Sequence, residues 1–315
     1  MSEKKIIAVV GSTGAQGGGL VRAILADPDG GFAARAITRN PQGDKARALA
    51  EQGADVVFAD LDDEKTLSRA FAGAYGAFCV TNFWEHFSPE KEIEQARKMA
   101  AAAAAADLQH VIWSSLDDTR ELVPLDDDRM PTLMGNYKVP HFDAKGEANR
   151  LFTESVPTTV LNTVAYWENL IYFGWGPAKD QNGDYALTFP IGNAKIPSIA
   201  AEDIGKCAYG IFKRGKEFIG KTVGIAGGHV SGSEMAATLT KALGVDIRYN
   251  DVHPDVYRGF GFPGAEDVGN MFQFKRDFED QYRASRSVDL ARRLNPELMS
   301  FDEWVRENAQ RIPLG

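Results

Sequence analysis

Ile6-Ile7-Ala8-Val9-Val10-Gly11-Ser12-Thr13-Gly14-Ala15-Gln16-Gly17 begins the first regular stretch of the chain. Its five consecutive apolar residues, with no polar alternation, suit a parallel strand buried on both faces. The run stops at Gly11. Leu20, Val21, Ile24 and Leu25 then recur at helical spacing until Asp27-Pro28-Asp29-Gly30 ends the helix. A GxxGxxG turn lying directly between a strand and a helix is the setting in which such a turn binds the pyrophosphate of a dinucleotide. Gly11 permits the tight turn, Gly14 lets the backbone approach phosphate, and Gly17 lets helix and strand pack closely. The free N–H groups and positive end of the helix face the anion. Gly11, Ser12, Thr13, Gly14, Ala15, Gln16 and Gly17 are therefore the first candidate cofactor contacts.

Outward from this turn, the alternation of strand and helix continues. Ala33 to Thr38, Asp55 to Ala59, Ala77 to Thr81 and His110 to Ser114 read as strands, separated by helices over 44–52, 63–72 and 89–106. Strands joined by helices impose right-handed crossovers, so the fold class is α/β, a doubly wound parallel Rossmann sheet. After Ser115 the pattern gives way to an acidic, Pro-containing stretch, Asp117 to Pro131, expected to be a mobile, solvated excursion around Asp126-Asp127-Asp128. A helix starts near Phe142 and a sixth strand covers Thr158 to Leu161. The remainder mixes a Phe173-Gly174-Trp175-Gly176 turn, a strand near Tyr185 to Phe189, and helices near 201–213, 231–243 and 287–293. This organisation predicts a dinucleotide-binding domain over 1–165 and a smaller C-terminal α+β lobe over 166–315 that closes the crevice, with interleaving allowed.

The chain has 315 residues, 44% of them hydrophobic, and 35 basic against 44 acidic side chains give a net charge of −9. That balance disfavours direct nucleic-acid binding, which draws on basic patches. Cys79 and Cys207 stand far apart, with neither zinc-site spacing nor the density of a disulfide scaffold. Met1-Ser2-Glu3-Lys4-Lys5 leads straight to the first strand, and no apolar run approaches the ~18 residues of a membrane span. The expectation is a cytoplasmic protein with no membrane association. His86, His110, His229 and His253 are scattered without ligand spacing, so no metal site is expected.

Where an NAD-binding protein places a carboxylate for the ribose hydroxyls, this chain has Thr38-Arg39-Asn40-Pro41. Arg39 offers a planar fork of donors for a 2′-phosphate, which points to NADP(H) over NAD(H). Asp60 and Leu61 follow the third strand and would lie along the adenine; Asp60 serves equally well as the cap of the helix over 63–72. Tyr166-Trp167-Glu168-Asn169 follows the sixth strand, where it would close the nicotinamide end. Its aromatics could instead be core. Phe83 and Trp84 would wall the same crevice.

Taken together, Gly11–Gly17, Thr38-Arg39-Asn40-Pro41, Val80-Thr81-Asn82-Phe83-Trp84-Glu85, His141-Phe142-Asp143-Ala144-Lys145-Gly146-Glu147, Tyr166-Trp167-Glu168-Asn169, Gly261-Phe262-Pro263-Gly264-Ala265 and Asn270-Met271-Phe272 resemble the NmrA-like atypical short-chain dehydrogenases. Within that family the likeness is to the HSCARG-type NADPH redox-sensor proteins, and it runs almost end to end. The resemblance implies an NADP-binding regulator that distinguishes redox states. It places cofactor contacts on Gly11 to Gly17, Arg39, Asp60, Leu61, Thr81, Asn82, Lys145, Tyr166, Trp167, Glu168 and Asn169. The stretch from Asp117 to Pro140 departs from the family in length and acidity, which puts in doubt any partner contact made there.

A catalytic short-chain dehydrogenase carries a Tyr four residues before a Lys on one helix, with a Ser ending the fifth strand. Here Ser114-Ser115 ends that strand and Lys145 is the lysine, but His141 stands in the tyrosine's place. Tyr137 lies too far upstream, before Pro140. The reading that follows is a redox sensor or regulator with little or no dehydrogenase activity, acting through a protein partner or as a homodimer. The alternative is an NADPH-dependent reductase of a small electrophile such as a quinone, with His141 and Lys145 catalytic, since His can exchange protons near neutral pH. His141 could also simply cap its helix.

Overall fold

Strand β1 (Lys5–Val9) is buried from Ile7 onward: Ile7 and Val9 enter the core on one face, while Ala8 and the following Val10 enter the core on the other. Burial on two sides is why the run has no polar alternation. The computed structural model describes residues 3–180 and 182–315. Met1 and Ser2 of the expected start lie outside them.

The unit then repeats through α1 (Ala15–Ala26), β2 (Phe32–Thr38), α2 (Asp44–Glu51), β3 (Asp55–Phe58), α3 (Glu64–Phe71), β4 (Gly76–Cys79), α4 (Pro89–Ala105), β5 (His110–Ser115), α5 (Pro140–Thr153) and β6 (Thr158–Asn162). The second half adds β7 (Ala165–Tyr166), α6 (Asn169–Tyr172), β8 (Ala178–Lys179), β9 (Tyr185–Phe189), β10 (Ile196–Ile199), α7 (Ala201–Arg214), β11 (Thr222–Gly224), β12 (Gly228–Val230) and α8 (Gly232–Leu243). It ends with β13 (Ile247–Asp251), α9 (Pro254–Arg258), α10 (Ala265–Asp277), α11 (Glu279–Ala284), α12 (Val288–Leu294) and α13 (Phe301–Asn308).

Seven strands form one parallel sheet in the order β11-β6-β5-β4-β1-β2-β3. The order reverses between β1 and β4, and ligands of such sheets bind at the carboxyl ends of the strands beside that reversal. The turn after β1 and the segment Val80–Asn82 after β4 both lie there. Helices α1, α2 and α7 cover one face, and α3, α4 and α5 supply Leu67, Phe71, Ala96, Met99, Ala103, Ala148 and Phe152 to the other. A methyl group on Gly205 would lie 2.1 Å from the Leu20 nitrogen and one on Gly19 would lie 2.5 Å from the Glu202 oxygen, so α7 presses directly on α1. Two three-stranded sheets, β12-β10-β7 and β13-β9-β8, build the smaller lobe.

Strand β11, which no periodicity announced, is three residues long and is recruited by β6, bringing part of the second half into the main sheet. Helix α5 starts at Pro140 rather than near Phe142, with the proline in the first turn where its missing N–H costs nothing.

The Asp117–Pro131 stretch departs most from expectation. Asp126 and Asp128 are exposed, yet Val123 and Met130 are core residues and Lys138, just beyond, is 1% exposed. Asp117 pairs with the buried Arg286 at 2.5 Å. The Asp143 carboxylate accepts hydrogen bonds from the backbone N–H groups of Thr119, Lys138 and Val139 and from the Thr119 hydroxyl. From α10, Asn270 donates to the Pro131 and Lys138 carbonyls and Gln273 donates to that of Arg129. The segment is a packed strap, not a mobile excursion. Its polar groups are satisfied internally, which composition alone does not reveal. Among the described residues no helix is long and apolar enough to cross a membrane, and no group of three or more His, Cys, Asp and Glu could hold a metal.

Candidate functional site

Gly11 adopts φ 65°, which leaves the β1 strand in a turn that L side chains rarely enter. A methyl on Gly17 would sit 2.5 Å from the Gly11 oxygen, so the first turn of α1 abuts the loop directly. Helix α1 starts at the N-cap Gly14 with no side-chain cap and no acidic residue in its first turn. Its N–H groups and positive end therefore remain available to an anion. A groove of about 540 Å³ runs from this turn past Arg39, Asp60 and Leu61 and reaches Thr81, Asn82 and Tyr166. A groove of this course, with the open N-terminus of α1 at one end, suits a dinucleotide.

Ser12 does not line the groove; it is buried, with its hydroxyl donating to the Ile37 carbonyl at 2.8 Å, and so braces the turn against β2. Asp60 does line it. The N-cap of α3 is Asp63, whose carboxylate accepts from the Lys65 N–H, so the capping alternative for Asp60 falls. Arg39 is exposed and ion-paired with Glu85, a partner the sequence reading did not assign, and Glu85 hydrogen bonding holds its guanidinium charged.

A second cavity of about 310 Å³ adjoins the groove and shares Ala15, Gln16, Thr81, Asn82 and Tyr166 with it. At this junction Ser114 donates to Gln16 Oε1 at 2.7 Å, and the Gln16 amide donates to the Tyr166 hydroxyl. Burial pushes the Tyr166 phenol up. Ser115 turns away to Asn149 and the Lys145 carbonyl. Phe83, Trp84, Phe142, Phe173 and Trp175 give the cavity aromatic walls.

His141 lies in that wall, as the helix geometry of α5 requires, one turn before Lys145. Its Nδ1 is 2.6 Å from Asp267 Oδ1, and its backbone N–H donates to Asp267 Oδ2 at 3.2 Å. Asp267 comes from α10, whose existence the sequence reading missed although Gly264 followed by Glu266 and Asp267 is a helix-start signal. With Nδ1 engaged by the carboxylate, Nε2 is the ring nitrogen left for the cavity. The Trp84 ring centroid is 4.7 Å from that of His141.

The Lys145 ammonium has three donors, and three acceptors surround it: the Thr81 carbonyl at 3.1 Å, the Thr81 hydroxyl at 2.6 Å and Glu92 Oε1 at 2.7 Å. Glu92 is fully buried and also lies 3.3 Å from His86 Nε2. Burial alone would raise its carboxyl, but the charge of Lys145, with His86 close by and hydrogen bonds from Lys145 and Thr81, pulls it down to about 2. Glu92 sits in the Ala-rich helix α4, and no sequence signal separated it from that helix's surface charges.

Of Tyr166 to Asn169, Tyr166, Glu168 and Asn169 line the cavity. The Glu168 carboxylate is also tied down, accepting from the Ala201 N–H at the start of α7 and from Trp304 Nε1. Trp167 lines neither space: its indole packs on Phe301 and Trp304 and donates to Ser198 Oγ at 2.8 Å. Tyr137 is likewise outside the cavity, under the Arg120 guanidinium. His110 is a core residue, its imidazole lowered to about 4 by burial, and burial pushes both Cys79 and Cys207 thiols up.

The model of the NmrA-like family matches residues 3–305. Among characterised proteins, the NmrA-like family domain-containing oxidoreductase FrzB of Cladobotryum sp. is 30% identical over 293 residues, covering 89% of this chain and 86% of that one. Among solved structures, the negative transcriptional regulator NmrA in complex with NADP superposes with a TM-score of 0.75 at 23% identity, covering 97% and 95% of the two chains. The Citrobacter sp. triphenylmethane reductase complexed with NADP(H) gives 0.73 at 21% identity, covering 96% and 99%. The glycine turn, the reversal point of the sheet and the family match over nearly the whole length agree, and the chain belongs to the NmrA-like family.

Proposed function

We propose that this chain is an NADPH-dependent reductase of a planar aromatic electrophile such as a quinone. The observation that carries the proposal is the buried Asp267–His141 pair in the wall of an aromatic cavity that opens onto the dinucleotide groove. The oxidoreductase name of the Cladobotryum relative supports it. The uncapped N-terminus of α1 and Gly11–Gly17 would hold the pyrophosphate, Arg39 the 2′-phosphate that distinguishes NADP(H), and Asn82, Tyr166 and Asn169 the nicotinamide end. Bound there, NADPH supplies a hydride. Reduction of a quinone also consumes a proton, and His141 Nε2 is the group placed to give it, while Asp267 fixes the ring. Lys145, tied to Thr81 and Glu92, holds the strand-end loop that borders both spaces. Quinones need little acid assistance compared with ketones, so the absence of a tyrosine four residues before Lys145 is compatible with this chemistry.

A second reading, control of a protein partner or of self-association by the bound nucleotide, is favoured by one contact: the Arg39–Glu85 pair, which links the adenosine end of the groove to the turn bearing Trp84.

The test is NADPH consumption against a panel of quinones and simple ketones, beside a nucleotide titration. Turnover is expected with quinones and not with ketones. His141→Phe should lower kcat by about a hundredfold and Asp267→Asn by about tenfold, with NADPH affinity retained in both. A chain that binds NADPH but consumes none with any quinone would overturn the reductase in favour of the regulatory reading.

A further inference from the structure

Helix α10 presents Asp267, Met271 and Lys275 at four-residue intervals along one face. Asp267 holds His141, and Met271 and Lys275 line the cavity. Lys275 is only 1% exposed, which ordinarily requires a carboxylate partner. It has no such ion pair among the described residues. Its one hydrogen bond goes to the Met271 thioether sulfur at 3.2 Å, a weak acceptor. The ammonium otherwise stands against ring faces, 5.4 Å from the Phe142 centroid, 5.6 Å from Tyr282 and 6.0 Å from Phe272. The charges that act on it are those of Arg286 and Asp117, which are paired with each other. Burial first, then the Arg286 charge, lowers Lys275 to about 7 against the opposing pull of Asp117.

A second donor of the same wall is in a similar position: the Trp175 indole N–H is buried with no partner among the described residues. Aromatic walls that carry these two unspent donors are complementary to a flat ring system bearing acceptor oxygens. The Phe142 ring neighbours both nitrogen groups, 4.8 Å from the His141 ring and 5.4 Å from Lys275 Nζ.

We infer that Lys275 determines specificity in this cavity by receiving an acceptor oxygen of a planar aromatic substrate, so that quinones bearing an ionised hydroxyl are preferred. The inference deepens the reductase reading and rests on it for the word substrate, but the binding it describes can be measured separately. An anionic oxygen gives the ammonium the partner the protein does not provide, and a charge-assisted hydrogen bond between opposite charges in a dry site is among the stronger polar contacts available.

The experiment uses the full chain with two probes, menadione, a methylated naphthoquinone, and lawsone, its hydroxylated counterpart, which is ionised at neutral pH. Binding is followed by quenching of tryptophan fluorescence, with Trp84 and Trp175 in the wall as reporters. Lys275→Met should weaken lawsone by tenfold or more relative to menadione, roughly the loss expected for one charge-assisted hydrogen bond. Circular dichroism checks the fold, and Lys275→Gln replaces the methionine variant if that one does not fold. An unchanged lawsone-to-menadione ratio overturns the inference, whether or not quinones are turned over. NADPH oxidation with menadione by the natural chain tests the reductase reading alone: Lys275-dependent lawsone binding without any turnover would leave the site standing and remove the reductase.

Discussion

Arg39, at the end of β2, and Glu85, in the short 3-10 turn Phe83–Glu85 after β4, form an ion pair in the wall of the groove. The same turn carries Trp84, whose ring lies 4.7 Å from His141, and a methyl on Gly264 at the start of α10 would lie 2.9 Å from the Trp84 ring. The residue proposed to select the cofactor and the residue proposed to protonate a substrate are thus joined through one short turn. Both partners of the pair are substantially exposed, so the pair itself adds little to stability. A 2′-phosphate bound at Arg39 would compete with Glu85 for the same guanidinium.

Glu85→Gln is therefore expected to tighten NADP(H) by a few-fold and to leave NAD(H) nearly unaffected, since only the former carries the competing phosphate. Arg39→Ala should remove most of the preference for NADP(H), a loss of about 10- to 100-fold for one charge-assisted contact. Calorimetric titration of both nucleotides against the natural chain and the two variants measures this. Equal affinity of the natural chain for NADP(H) and NAD(H) would show that Arg39 does not read the phosphate.

The sheet was legible because its signal is local. The run Ile6–Val10, the glycines and the helix after them lie within a few turns of chain, and each later strand repeats the pattern. His141 and Lys145 were legible for the same reason, lying one helical turn apart. Asp267 was not, because its relation to His141 spans 126 residues and exists only once α10 docks on α5. Glu92 reads as one more charge on an exposed helix until the sheet brings Lys145 over it. The strap after β5 misled for the converse reason: its acidic composition is that of a loop, while its anchors, Arg286, Asn270 and Gln273, all come from the far end of the chain.

Glu92 gives the site a dependence on acid. Its carboxyl is held at about 2 in the folded chain against an ordinary value of 4.5, with burial opposing and the Lys145 charge leading the groups that favour ionisation. A depressed folded value means that this contribution to stability is fully present above about pH 4.5 and is lost as the pH falls toward 2. The natural chain should accordingly lose thermal stability through that window more steeply than Glu92→Gln. At neutral pH the variant should be less stable by about 3 kcal/mol, because it leaves the Lys145 charge without its buried partner. Melting curves of the two chains between pH 7 and pH 3 decide it: parallel curves would mean that Lys145 and Glu92 are not coupled as described.

The strap between β5 and α5 makes the last prediction. Thr119, Val123, Met130 and Lys138 are buried, Asp143 accepts four hydrogen bonds from the segment, and Asn270 and Gln273 reach its carbonyls from α10. Backbone groups held this way exchange slowly, because opening them means uncovering core residues and stranding a buried carboxylate. Hydrogen exchange should therefore find Thr119, Lys138 and Val139 protected in the nucleotide-free chain, with little further gain when NADPH is added. The exposed residues around Tyr172 to Gly174, which border the cavity and cover no comparable network, are where nucleotide-dependent protection is expected instead. Asn270→Ala tests the cause, since it removes the donor to Pro131 and Lys138 and should speed exchange across the strap while leaving the Gly11–Gly17 turn unaltered. A strap that exchanges freely without nucleotide and becomes protected only when NADPH binds would contradict this and would supply the moving part that a nucleotide-controlled regulator requires.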